Sequence, residues 1–315
     1  MSLTDSLHAF DRAQQRRPWL GFVAAVVKKF GDDQAGQLAA LISYYSFVSL
    51  FPLLLVFVTI LGFVLEGDPT EQQKILDGAL GQVPIIRDQL KLHSLTGSTT
   101  ALVIGVVLAV LAGMGITGAI QNALNRIWSV PFKARPDFVH ARLRSLGMLA
   151  ILGTLSISST VAGGFIGSAS HPALTVVGGV AVAFAFNLAL FMISFKLLTA
   201  AEVSWRDLLP GVIAASVFWQ LLQHLGGYYV DHELKRLSPL YGVFGLVLGL
   251  LAWLYLGAQL TIFAAEINVV RKQRLWPRSF FTPLLDADKR ALTSSAEIEE
   301  RVEEETVEVS FDDPE

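Results

Sequence analysis

Apolar runs of membrane-spanning length dominate the chain between residues 38 and 266. They cover roughly 38–65, 101–118, 143–167, 174–199, 209–230 and 240–266. A helix needs about 20 apolar residues to cross a bilayer core. A spanning segment must also satisfy its own backbone hydrogen bonds, which makes helices the default. The pattern therefore predicts an all-α polytopic membrane protein with six transmembrane helices.

The segments outside the spans carry their own periodicity. Trp19, Val23, Val26, Val27 and Phe30 fall on one helical face beside Lys28 and Lys29. This predicts an interfacial helix over 19–30, or one packed against the bundle, ended by Gly31. Asp32 or Asp33 can then cap the next helix. The long first outer loop, 66–100, contains Thr70 and Gln73 in a capping-box spacing, then Ile75, Leu76, Ala79, Leu80 and Val83. An amphipathic helix from about 70 to 83, stopped at Pro84, follows. Short connections at 168–173 and 231–239 make spans three and four, and five and six, antiparallel neighbours. The organisation is a cytoplasmic N-terminal segment over 1–31, a membrane domain over 32–280 and an acidic tail over 281–315.

Composition and charge refine this picture. Of 315 residues, 53% are hydrophobic and 16% charged, far from a soluble average. The net charge of -3 averages a basic body with a tail, 291–315, that holds ten acids against Arg301. Such a tail is expected to be disordered and solvated. The chain has no cysteine, so disulfides, thiolate zinc ligands and thiol catalysis are excluded. Residues 1–18 are polar and do not read as a cleavable signal. With six spans, 19 of the 24 Lys and Arg fall on the side of the termini; only Lys74, Arg87, Lys91, Lys235 and Arg236 fall opposite. The positive-inside bias then puts both termini in the cytoplasm.

Polar residues inside the spans are the candidate site. Tyr45, Ser49 and Pro52 share a face of the first span, and Pro52 predicts a kink because the Val48 carbonyl loses its partner. Tyr255, Gln259 and Glu266 share a face of the sixth, with Glu266 about 10 Å nearer the cytoplasm than Gln259. A carboxylate at that depth must be paired, hydrated or protonated. Arg126, at the end of the second span beside Asn122 and Asn125, is the partner this reading chooses. The first and sixth spans are expected to pack at matched depth, with Ser49 near Gln259. Gln220 and His224, with Tyr228, form a second, outer band on the fifth span. Packing is the competing explanation for each of these residues.

Several motifs resemble the YihY/BrkB-like inner-membrane family, historically labelled ribonuclease BN. They are Leu38-Ala39-Ala40, Tyr44-Tyr45-Ser46, Ser49-Leu50-Phe51-Pro52, Gly115-Ile116-Thr117, Asn122 and Asn125-Arg126-Ile127-Trp128. Further along come Trp205-Arg206-Asp207, Pro210-Gly211, Tyr241-Gly242, Trp253-Leu254-Tyr255 and Ala265-Glu266-Ile267-Asn268. The resemblance covers about 30–275. It implies a multi-pass bacterial inner-membrane protein; members have been named for serum resistance, labelled as ribonuclease or proposed as transporters. Ala264 stands where the family usually has glycine, which implies a looser helix contact there.

A transporter or lipid-translocating protein, with membrane lipids and a small-molecule or lipid substrate as partners, is the leading functional expectation. A non-transporting assembly or scaffold factor is the alternative. A ribonuclease would need clustered metal ligands, and the six histidines are far apart in sequence. Neither cofactor, metal site nor nucleic acid is therefore expected, and no nucleotide-cradling motif is present. A homo-oligomer is compatible with the sequence.

Overall fold

A computed structural model describes residues 3–64, 99–167, 172–229, 235–281 and 283–312. The expected amphipathic helix at 70–83 lies outside the described residues. Among those described, the structure is all-helical, with no strand. In chain order the helices are α1 (Leu3–Arg16), α2 (Pro18–Asp32), α3 (Ala35–Val64), α4 (Thr99–Ile127), α5 (Phe138–Gly167), α6 (Pro172–Leu198), α7 (Trp205–Tyr229), α8 (Lys235–Gln273) and α9 (Asp286–Glu297). A short 3₁₀ turn, Phe132–Ala134, interrupts the α4–α5 connection.

Among the described residues, five stretches are long and apolar enough to cross a membrane: Ala35–Val56, Leu102–Ile127, Val177–Leu198, Trp205–Gly226 and Val247–Gln273. Their outer faces are also apolar. On α7, Leu209, Ile213, Val217, Leu221 and Leu225 repeat every four residues and are 40% to 66% exposed. Water would not tolerate a stripe of that length on a monomer; lipid does. The chain is a multi-pass membrane protein.

Local signals explain where helices begin and end. Pro18 occupies the first turn of α2, where its missing N–H costs nothing. Ser204 and Asp207 form a reciprocal cap at the start of α7: the Asp207 N–H donates to Ser204 Oγ at 3.3 Å and the Ser204 N–H to Asp207 Oδ2 at 3.1 Å. The ends of α2, α4 and α8 are followed by left-handed residues that are not glycine, namely Gln34, Ser129 and Arg274. Helix α2 thus runs past Gly31, and the turn into α3 is made at Gln34 instead. Helix α3 continues through Pro52.

Helix neighbours are α3 with α4 and α8, α7 with α6 and α8, and α5 with α4 and α6. The expected first-to-sixth-span contact is present: Ser43 Oγ on α3 donates to the Leu251 carbonyl on α8 at 3.2 Å. The α7–α8 crossing depends on two glycines. A Cβ on Gly211 would clash with the Ala264 carbonyl oxygen, and one on Gly226 with the Trp253 ring. The looser contact expected at Ala264 is absent, because Gly211 on the facing helix supplies the space; Ala264 is fully buried.

Helix α2 packs against the bundle, the second of the two readings of its periodicity. Gly21, Ala24, Ala25, Val26 and Lys29 are buried against the bundle, while Trp19, Val23 and Val27 point outward. The acidic tail departs from the expectation of a free segment. Residues 286–297 form α9, and residues 298–305 lie along the α4–α5 connection. There the Phe132 N–H donates to the Ile298 carbonyl at 3.1 Å and the Lys133 N–H to the Glu300 carbonyl at 2.9 Å. Lys133 Nζ also pairs with Glu300 at 2.9 Å. Opposite charge, two backbone bonds and burial of Ile298 hold the tail down.

Candidate functional site

The strongest concentration of buried charge lies where α2, the end of α4 and the last turns of α8 converge. Lys29, Asp33 and Glu266 are 4%, 3% and 0% exposed. Lys29 Nζ donates to Asp33 Oδ2, one helical turn on, and to the carbonyl of Ile127 at 2.9 Å. It stands 3.5 Å from Glu266 Oε2. The Ile127 carbonyl ends α4, where free carbonyls and the helix dipole favour a cation. Burial opposes the Lys29 charge, but the Glu266 and Asp33 carboxylates outweigh it and hold its pKa above the ordinary lysine range.

Around Glu266 the walls are apolar: Ile262, Ala265, Val269 and Val270 are buried with it. Neither Glu266 oxygen accepts a hydrogen bond. Asp33 faces it together with Lys29. Two carboxylates and one ammonium therefore share a site closed to water. The partner of Glu266 is Lys29 and not Arg126. Arg126 is half-buried at the end of α4 and makes no ion pair among the described residues. Its charge instead lies beside Arg135, whose pKa is lowered by burial and by Arg126.

The other sequence candidates are structural or scattered. Asn125 is buried and accepts the Ala200 N–H at 2.7 Å, which fixes the α6–α7 connection. Asn122 is exposed and accepts from Arg135 at 3.1 Å. Ser49 is buried and donates to its own helix at Ser46, 2.9 Å away. Tyr45 packs on Gly115, where a Cβ would come within 2.8 Å of its ring, and edge-on against Tyr44. Pro52, Gln220, Tyr255 and Gln259 are half-buried, and the Gln220 amide nitrogen is buried without a partner. His224 is exposed, its Nδ1 2.7 Å from the Gln220 carbonyl of its own helix, so it faces outward. The Tyr228 side chain lies outside the described residues.

Matched depth between Ser49 and Gln259 does not hold. Ser43 is level with Leu251, and the Tyr255 hydroxyl would lie 3.4 Å from a Cβ on Gly36. In an antiparallel pair each step outward on α3 meets a step inward on α8. Ser49 is then level with residues near 245, about 20 Å along the axis from Gln259 at 1.5 Å per residue. One polar band cannot include both.

Sequence reasoning missed Lys29 and Asp33 as site residues. Their signal was an i, i+4 lysine–aspartate pair closing an apolar helix. It also missed Asn268, which is buried and accepts the Gly211 N–H at 2.7 Å across the α7–α8 crossing. Among the described residues no three His, Asp or Glu side chains gather as a metal site.

The fold and this centre define a class: a multi-pass helical membrane protein with an ion cluster sealed at one end of its bundle. The family described as "Virulence factor BrkB" matches residues 26–280, and the chain belongs to it. Inner membrane protein YhjD of Escherichia coli (strain K12) is 30% identical over 276 residues, covering 80% of this chain and 81% of its own length. A UPF0761 membrane protein of Acinetobacter baylyi is 23% identical over 80% of this chain, which spans 62% of that relative. Putative ribonuclease-like protein YfkH of Bacillus subtilis is 23% identical over 81% of this chain and 96% of its own. No solved structure matches. This is an integral inner-membrane protein of the BrkB family.

Proposed function

We propose that the chain crosses the inner membrane six times with both termini in the cytoplasm, and that it carries a small molecule or lipid across, coupled to a cation or proton at Glu266. Helix α5 supplies the sixth crossing: its 30 residues span about 45 Å. Contact between the terminal segments favours an even number of crossings, since Lys28 of α2 pairs with Asp288 of α9 at 2.7 Å.

The observation that carries the transport reading is the composition of the buried centre. Lys29 balances one of two carboxylates, and at 3.5 Å it is at the outer limit of a hydrogen bond to Glu266. A buried uncompensated charge is expensive, and intramembrane acids persist where they pair or carry ions. A proton or a monovalent cation would complete the site. A purely structural ion pair would need only one acid.

Purified protein in liposomes tests this. With an imposed proton or sodium gradient, wild type should move a fluorescent lipid or solute reporter, and Glu266→Gln should fold but lose the gradient dependence. A wild-type protein that passes no lipid or solute under any gradient would leave the assembly-factor reading in its place.

A further inference from the structure

A recess of about 290 Å³ lies between the first turn of α7 and the last turn of α8, lined by Arg206, Asp207, Arg271, Lys272 and Arg274. The single acid is already occupied: Asp207 Oδ2 takes Lys272 Nζ at 2.8 Å and Ser204 Oγ at 2.8 Å. Arg206, Arg271 and Arg274 make no ion pair among the described residues, and all three are exposed. Three arginines from two helices thus line one recess whose single carboxylate is already engaged by Lys272 and Ser204. Arg274 is held there by its left-handed backbone and by Arg290, which donates to its carbonyl at 2.8 Å.

The positive-inside bias explains basic residues at a span end, but not their convergence from two helices. Position decides what occupies the recess. Arg206 and Asp207 sit at the start of the apolar stretch Trp205–Gly226, and Arg271 and Lys272 at the end of Val247–Gln273. The recess therefore lies at the level where a bilayer meets water. Trp205, 53% exposed beside it, is the residue type that anchors at that boundary. Guanidinium forks match phosphate oxygens, and basic recesses between spans suit anionic headgroups.

We propose that Arg206, Arg271 and Arg274 bind the phosphate headgroup of an anionic membrane lipid in this recess. The site is remote in role from Glu266 and rests on membrane insertion, not on transport.

Native mass spectrometry of the full chain tests it, after exchange into detergent with phosphatidylglycerol and phosphatidylcholine at equal concentration. Wild type should retain phosphatidylglycerol preferentially. The triple variant Arg206→Gln, Arg271→Gln, Arg274→Gln should retain about tenfold less. The control variant Arg12→Gln, Arg16→Gln, Arg17→Gln removes three exposed charges from α1 and its junction with α2 and should match wild type. Equal loss in both variants would mean diffuse charge attraction, and no loss in the recess variant would mean no site; either overturns the proposal. Millimolar inorganic phosphate is the second arm: displacement of the lipid by phosphate alone would make the ligand a soluble anion and overturn the lipid assignment. If the triple variant does not fold, Arg271→Gln alone should lose part of the retention, and unchanged retention would overturn the proposal. Retained flux in a variant that has lost lipid would leave the transport reading standing.

Discussion

Lys29 Nζ lies 3.5 Å from Glu266 Oε2, an ammonium on α2 meeting a carboxylate on α8 where neither touches water. The pair joins a helix outside the candidate spans to the end of the bundle. Because Lys29 also ends α4 at the Ile127 carbonyl, three helices meet at one charge.

Removing the cation should hurt more than removing the acid. Lys29→Met leaves two carboxylates buried together and should lower stability by about 3 kcal/mol. Glu266→Gln in that background should recover part of the loss, while Arg126→Gln should not. Thermal unfolding of the two double variants in detergent checks this; rescue by Arg126→Gln alone would return Arg126 to the site.

Gly211→Ala and Gly226→Ala should each destabilise by about 1–3 kcal/mol, since the new methyl meets a backbone carbonyl or an indole ring. Gly118→Ala meets nothing within 4 Å and gains helix propensity, so its melting temperature should not fall. Equal melting temperatures for all three would contradict the close α7–α8 crossing.

The terminal segments should come apart in acid. Asp288 is buried, which pushes its pKa up, but Lys28, the Ser279 N–H and Arg278 outweigh this and hold it below the ordinary carboxylate range. Its contribution is present above the unfolded value of about 3.9 and is lost as pH falls through the lower native one. Asp288→Asn should melt below wild type at neutral pH, and the gap should close as pH falls below the ordinary carboxylate range. A pH-independent gap would assign the effect to packing.

Helix register can be read by cross-linking, since the chain has no cysteine of its own. Cysteines at 43 and 251 should be joined by a short bifunctional reagent, because Ser43 hydrogen-bonds Leu251. Cysteines at 49 and 259 should not. Linkage of the second pair in folded protein would shift α3 against α8.

For topology, reporter fusions after Lys91 and after Glu300 should report opposite sides of the membrane. The same side for both would remove the six-span reading.

Much of this protein was open to reading from its sequence, because a bilayer leaves few choices. Long apolar runs must be helices, since only helices satisfy their backbone within one segment. The helices at 35–64, 172–198 and 205–229 follow directly, as does the family. The contact between α3 and α8 was legible too. What polar residues do on those helices was not. Glu266 was recognisable as costly, yet its partner depended on where α2 returns to the bundle, and a lysine in an interfacial helix carries no mark of its destination. Ser49 and Gln259 looked level when depth was counted from span ends, but α8 extends to Gln273 and slides the register by several turns. The acidic tail, unfoldable by composition alone, is ordered because the basic α4–α5 connection lies within reach. Local pattern decides which segments are helices. Only the tertiary structure decides which charges meet, because that depends on helix register and on connections that no local period encodes.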